Sequence, residues 1–161
     1  MRSGMFWLLL FLLLAGSASA ETVTANVSWI YDGDTIKVDG VGKVRLIGID
    51  SPEKKASSRD DYYLRHKIEP ATLRAIATKA LKFNIKTAKD RRVTLKFDRE
   101  KTDSYNRTLA YVFLPDGRML NRLLVEKGLA AVYRRFDFRH KQDFLKAEKT
   151  ARDRRLGLWH N

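Results

Sequence analysis

Residues 22–50 read TVTANVSWIYDGDTIKVDGVGKVRLIGID, and the alternation inside this stretch decides the fold class. Val23, Ala25, Val27 and Trp29 recur at every second position. Successive side chains of an extended chain point to opposite faces, so this period describes a strand with one face buried. Asp32-Gly33 interrupts the pattern and Thr35-Ile36-Lys37-Val38 resumes it. Asp-Gly between two alternating runs is a hairpin signal. Gly40 and Gly42 mark a second turn, and Val44 to Ile49 follows as a third strand, ended by Ser51-Pro52.

Downstream, Lys54 to Glu69 is polar and charged with no period, which predicts a long loop. Pro70 sits where a first helical residue belongs, and Leu73, Ile76, Ala77, Ala80 and Leu81 follow at helical spacing. Arg92 to Asp98 alternates again, and Leu109 to Leu114 is a further strand turned by Pro115-Asp116-Gly117. Asn121 to Lys127 predicts a short helix stopped by Gly128. Phe138 to Arg155 predicts a last helix stopped by Gly157, with a thin apolar stripe of Phe144, Leu145, Ala147 and Ala151. Five strands and three helices make an α+β chain with a mainly β core. A meander followed by an inserted helix fits a five-stranded OB-fold Greek-key barrel with three helices. A small open sheet with helices on one face is the alternative.

Upstream, Arg2 precedes an apolar run from Met5 to Ala15, and Ala18-Ser19-Ala20 has the small-residue form of a cleavage site. The run is shorter than the roughly 20 residues of a spanning helix. The expectation is a signal peptide over residues 1–20, cut after Ala20, and a single secreted or periplasmic domain over residues 21–161. An uncleaved anchor is the alternative. After cleavage a monomer without stable membrane association is expected.

The chain has no cysteine, which excludes disulfides, thiolate zinc sites and a thiol nucleophile. Lys and Arg number 32 against 19 acidic residues, for a net charge of +13. Such a charge fits a polyanionic partner such as DNA or RNA, and also an anionic membrane. Beyond the first twenty residues no segment shows a large apolar amphipathic face, so the membrane reading ranks last.

Two acidic clusters sit where strands turn: Asp32-Gly33-Asp34-Thr35 and Asp50-Ser51-Pro52-Glu53. A hard cation such as Ca2+ takes oxygen ligands, and Asp34 and Asp50 can supply one carboxylate each if the two turns meet. Glu53 can hold a water beside such a metal. In isolation the first cluster is equally a plain hairpin turn and the second a solvated loop or helix cap. An EF-hand loop is excluded because its fifth position would be Ile36. Gly40-Val41-Gly42-Lys43 lacks the four-residue spacer of a P-loop, and His66, His140 and His160 are too scattered for a metal set. Arg45 lies in an otherwise apolar strand, and a buried arginine needs an anionic partner. Either it edges an amphipathic strand or its guanidinium clamps a phosphate through two parallel hydrogen bonds. Arg107, in Asp103-Ser104-Tyr105-Asn106-Arg107, has the same two readings.

In order and spacing, Asp-Gly-Asp-Thr (32–35), Arg-Leu-Ile-Gly-Ile-Asp-Ser-Pro-Glu (45–53) and Asp-Ser-Tyr-Asn-Arg-Thr-Leu-Ala-Tyr (103–111) resemble the staphylococcal nuclease (thermonuclease) family. Leu123 to Ala130 and Gly157-Leu158-Trp159 extend the resemblance to nearly the whole chain after residue 22. It implies an OB-fold barrel and a calcium ion held by Asp34, Asp50 and the backbone carbonyl of Ser51. It further implies Arg45 and Arg107 as catalytic arginines, with Glu53 as general base. The implied reaction is attack of water on phosphorus with expulsion of the 5′ oxygen, leaving 3′-phosphate ends on DNA or RNA.

Asn106 stands where the family has glycine, Ser104 where it has lysine, and Arg134 and Phe136 where it often has tyrosines. The loop 54–69 is also unlike the familiar pattern. The basic stretches Arg134-Arg135, Arg139 to Lys141 and Arg152 to Arg155 are either solvated faces or a track for the rest of the strand. A non-catalytic OB-fold nucleic-acid-binding module is the competing function. Because Asp34 falls in a turn, its removal is expected to leave the fold intact.

Overall fold

A computed structural model describes residues 21–160. The expected signal peptide therefore lies outside the described residues. The elements are β1 (Thr22–Ile30), β2 (Thr35–Val38), β3 (Gly42–Leu46), β4 (Ile49–Asp50), α1 (Asp60–Arg65) and α2 (Pro70–Ala88). They continue with β5 (Arg92–Lys96), β6 (Thr108–Phe113), α3 (Leu120–Glu126), β7 (Ala131–Val132), α4 (Lys141–Asp153) and a 3-10 turn at Gly157–Trp159. Five strands close a barrel in the order β1-β2-β3-β6-β5, which is the expected OB-type barrel rather than an open sheet.

Closure depends on β1 pairing twice. Residues 22–26 run antiparallel to β5, and Val27 to Ile30 antiparallel to β2. A register shift between Val27 and Trp29 separates the two halves. Such a bulge bends the strand and increases its twist. It also changes which residues face inward. Val27 is fully buried, but the next inward side chain is Ile30, and Trp29 is 54% exposed. The alternating pattern thus placed Trp29 on the wrong face, because the extra residue resets the period. On the far side β3 and β6 run parallel, with Arg45 beside Leu109. Val27, Ile36, Val38, Val44, Val93, Leu95, Ala110 and Val112 are all buried and supply the strand part of the core.

The loop expected over residues 54–69 contains α1. Six residues are too few to show a helical period. Burial holds this helix: Tyr63 is fully buried and Ile68 nearly so, and Arg74 of α2 bonds both oxygens of Asp60 at 2.7 Å. The third strand stops at Leu46 instead of Ile49. Gly48 then turns at φ +78, and Ile49–Asp50 pairs separately with β7. A Cβ on Gly48 would lie 2.4 Å from the Phe138 ring, so this turn also packs too closely against an aromatic for any side chain. The last helix is shorter than expected at both ends. Phe138 packs into the core and the Arg139 amide donates to Asp98 (2.8 Å), which delays the start to Lys141. Arg155, at φ +53, breaks it two residues before Gly157.

Asn121 of α3 ties the barrel to the helices. It is fully buried, accepts from Val112 N–H (2.9 Å) and donates to Ile47 C=O (3.0 Å) and Ala110 C=O (3.2 Å). Asn121→Ala strands at least one buried N–H and one carbonyl. At about 1–3 kcal/mol per orphaned group, unfolding free energy should fall by roughly 2–4 kcal/mol. Urea denaturation measures it, and a loss below about 1 kcal/mol would mean that water replaces the amide.

Candidate active site

Strand register brings the charged residues together. Thr35 opposes Arg45 across β2 and β3, and Arg45 neighbours Leu109 on β6, so the turn before β2, the middle of β3 and the start of β6 share one end of the barrel. β7 holds the second acidic cluster there, with Asp50 opposite Ala131.

The first turn is fixed from two sides. Buried Asn84 of α2 donates to the carbonyls of Asp32 and Gly33, each at 3.1 Å. The Asp34 amide donates to Asp32 Oδ1 (2.9 Å). Gly33 is required by close approach: a Cβ there would sit 2.0 Å from Ser51 Oγ and 2.8 Å from the Ala80 Cβ. The two acidic turns therefore touch.

Arg45 lies between the two carboxylates. Its Nη1 forms an ion pair with Asp34 Oδ2, without hydrogen-bond geometry, and its Nη2 donates to Asp50 Oδ1 (3.1 Å). Asp34 is only 3% exposed and Arg45 8%, so this is a buried network. Asp34 also accepts from the Ser51 amide (2.9 Å) and the Thr35 hydroxyl (3.1 Å). Ser51 is held by its amide and by its hydroxyl, which donates to Leu129 C=O (3.1 Å).

The carboxylates are not equally satisfied. Burial disfavours the Asp34 charge, but Arg45 and the Ser51 amide overcome it and hold its carboxyl below the usual range. Burial, aided by the Asp34 charge, pushes Asp50 up. Asp32 is pushed up to about 6, first by burial and then by Asp34. Burial weakens the Arg45 charge, yet Asp34 and Asp50 more than restore it.

Arg107, just before β6, reaches the same place. Its Nε and Nη2 both contact Asp103 Oδ2, at 2.8 and 2.7 Å, and its Nη1 lies 3.5 Å from Thr35 Oγ1. Asn106 takes φ +58, as the expected glycine-like turn position requires. Glu53 joins through Arg59, whose Nη1 pairs with Glu53 Oε1 while its Nη2 bonds Asp50 Oδ1 at 2.7 Å. The contacts thus link Asp34, Arg45, Asp50, Glu53 and Arg107 into one connected array.

A profile described as staphylococcal nuclease homologue matches residues 43–161. The chain belongs to the staphylococcal nuclease family. It is 32% identical over 152 residues to a thermonuclease of Staphylococcus hyicus, covering 91% of this chain and 82% of that protein. It is 36% identical over 138 residues to a thermonuclease of Staphylococcus intermedius, covering 83% and 74%. An uncharacterized protein of Methanocaldococcus jannaschii is 38% identical over 153 residues, covering 87% and 73%. The profile match begins at Lys43, after Asp34, so the first acidic turn enters the array through geometry.

Three members of the array in this staphylococcal nuclease relative had no role assigned from the sequence, Thr35 being quoted only as part of its motif. Thr35 is the hydroxyl between Asp34 and Arg107. Arg59 sits in the segment expected to be loop, with no pattern to single it out. Tyr63 donates to Asp50 C=O (2.8 Å) and lies 3.2 Å from Asp50 Oδ2. A buried tyrosine needs a partner for its hydroxyl. A Tyr-Tyr pair inside a charged run was the available signal.

The donor set fits a hard divalent cation. It consists of oxygens alone, with the carboxylates of Asp34 and Asp50 converging on Arg45 and Asp32 beside them in the first turn. Among the described residues no group of three or more His, Cys, Asp or Glu forms a metal cluster. A cation held by Asp34 and Asp50 would therefore complete its shell with carbonyls and water.

Proposed function

We propose that this chain is an exported calcium-dependent nuclease that hydrolyses phosphodiester bonds of DNA or RNA, giving 3′-phosphate and 5′-hydroxyl ends. The observation that carries the proposal is the buried Asp34–Arg45–Asp50 network with Arg107 one hydroxyl away. Family membership and the +13 charge support it.

Asp34, Asp50 and the Ser51 carbonyl would hold the calcium ion, which when bound stabilises negative charge on the reacting phosphate. Glu53 accepts the proton of the attacking water, a role that requires its carboxylate to leave Arg59. A water O–P bond forms and the P–O5′ bond breaks. Arg45 and Arg107 donate to phosphoryl oxygens whose charge grows in the transition state, so they favour it over the ground state. Solvent protonates the departing 5′ oxygen. Plasmid DNA and a structured RNA incubated with calcium, then with chelator, test the reading. Cutting that requires calcium supports it; binding without cutting under every condition would replace it with a non-catalytic module.

Arg59 competes with the ion for Asp50. It is 41% exposed, and exposed pairs contribute about 0.2–1 kcal/mol. Arg59→Ala should therefore tighten calcium binding by roughly twofold to fivefold in calorimetry. Weaker binding would assign Arg59 a supporting role instead.

Export rests on the sequence of residues 1–20. Intact mass of secreted material should correspond to a chain beginning at Glu21. Retention of Met1 would favour the anchor. Among the described residues no helix is long and apolar enough to cross a membrane.

A further inference from the structure

The bulge in β1 leaves two aromatics on the outside of the barrel. Trp29 is 54% exposed, and Tyr31, two residues on and the first residue after β1, is 38% exposed. A cation lies over each ring: Lys89 Nζ is 5.7 Å from the Trp29 ring centre and Lys43 Nζ 4.8 Å from that of Tyr31. The register extends the patch across the sheet. Trp29 opposes Lys37, and Lys37 opposes Lys43. Lys43 and Arg45 are alternate residues of β3, so this face runs directly into the array at Arg45. Tyr31 is joined to it as well, since its amide donates to the Thr35 carbonyl (3.0 Å).

Two neighbouring exposed rings of this size differ from a single stray apolar side chain. Residues two apart on a strand are separated by about 7 Å. That spacing suits successive bases of an extended single strand, and every base has a face that can stack on a ring. Lys37, Lys43 and Lys89 supply positive charge for the phosphates between those bases. Moving a lysine off a surface ring costs only about as much as an exposed cation–π contact contributes, so the rings are available.

We propose that the outer face of β1, β2 and β3 is a platform for single-stranded nucleic acid, where Trp29 and Tyr31 stack bases and Lys37, Lys43 and Lys89 hold the adjoining phosphates. The inference deepens the nuclease reading and rests on its choice of nucleic acid as ligand. The platform holds the strand beside the cleaved bond, so long strands gain from it and a dinucleotide does not.

The test uses a labelled oligothymidylate of about a dozen nucleotides, with chelator to prevent cutting. Trp29→Ala and Tyr31→Ala should each weaken binding about tenfold, with the slope of log affinity against log salt unchanged. Lys43→Ala should lower that slope by about 0.7, the value for one phosphate contact on a single strand. With calcium present, Trp29→Ala should cut a dinucleotide at the wild-type rate while losing about tenfold in kcat/KM on the long strand. Both rings are exposed, so equal melting temperatures are expected. Wild-type affinity in both aromatic variants overturns the platform. So does Trp29-dependent binding to phosphatidylglycerol vesicles without binding to the oligonucleotide. Trp29-dependent binding of the oligonucleotide without cutting by the wild-type protein removes the nuclease reading and leaves the platform standing.

Discussion

Arg107→Lys should lower kcat by about 10²-fold or more while KM changes little. The reason is geometric. Asp103 grips one edge of the guanidinium through Nε and Nη2, and Nη1 projects toward Thr35 at the acidic turns. Burial opposes ionisation of Asp103, but the Arg107 amide and guanidinium hold its carboxyl below the usual range, so this grip is a charged one. Lysine keeps the charge but offers one ammonium in place of a planar fork. It can serve Asp103 or the phosphate, and it cannot make two parallel hydrogen bonds to phosphoryl oxygens. Steady-state kinetics and thermal melting separate the possibilities. A near-wild-type kcat would falsify the catalytic role. A normal kcat with a lowered melting temperature would mark Arg107 as a structural partner of Asp103.

Asp34→Ala should abolish detectable calcium binding in calorimetry and, with it, calcium-dependent cutting. A site built on two carboxylates loses half its ligand charge. The structure changes the expected effect on the fold. As a turn residue, Asp34 looked dispensable for stability. It is instead buried against Arg45, the Ser51 amide and the Thr35 hydroxyl. Its removal leaves Arg45 buried with only Asp50 opposite, at 3.1 Å. Relief of repulsion between Asp34 and Asp50 offsets part of that loss. The expected cost is roughly 3 kcal/mol, the low end for breaking a buried pair. Asp34→Asn keeps the shape and two possible hydrogen bonds, so it should lose calcium with a smaller drop in melting temperature. Unchanged calcium affinity in the Asn variant would show that Asp34 is not a ligand.

Period-two and helical patterning over most of the chain, with Asp-Gly, Pro and Gly at the breaks, determined the α+β class, the order of the main elements and α2 starting at Pro70, while closure of the sheet into a barrel rather than an open sheet was decided by the strand pairing. The order and spacing of the motifs that carry Asp34, Arg45, Asp50, Glu53 and Arg107 singled out the array through their resemblance to the staphylococcal nuclease family, since in isolation each residue also had a structural reading. Only the tertiary structure decided which face Trp29 presents, since a bulge of one residue shifts the period without changing composition. Only it revealed α1, whose six residues are helical because Tyr63 is buried and Asp60 is paired with Arg74, both long-range contacts. Arg59 and Thr35 also became part of the site only in the fold. Arg59 reaches Glu53 and Asp50 across a turn and Thr35 meets Arg107 from 72 positions away, contacts that the folded geometry sets and no local pattern encodes.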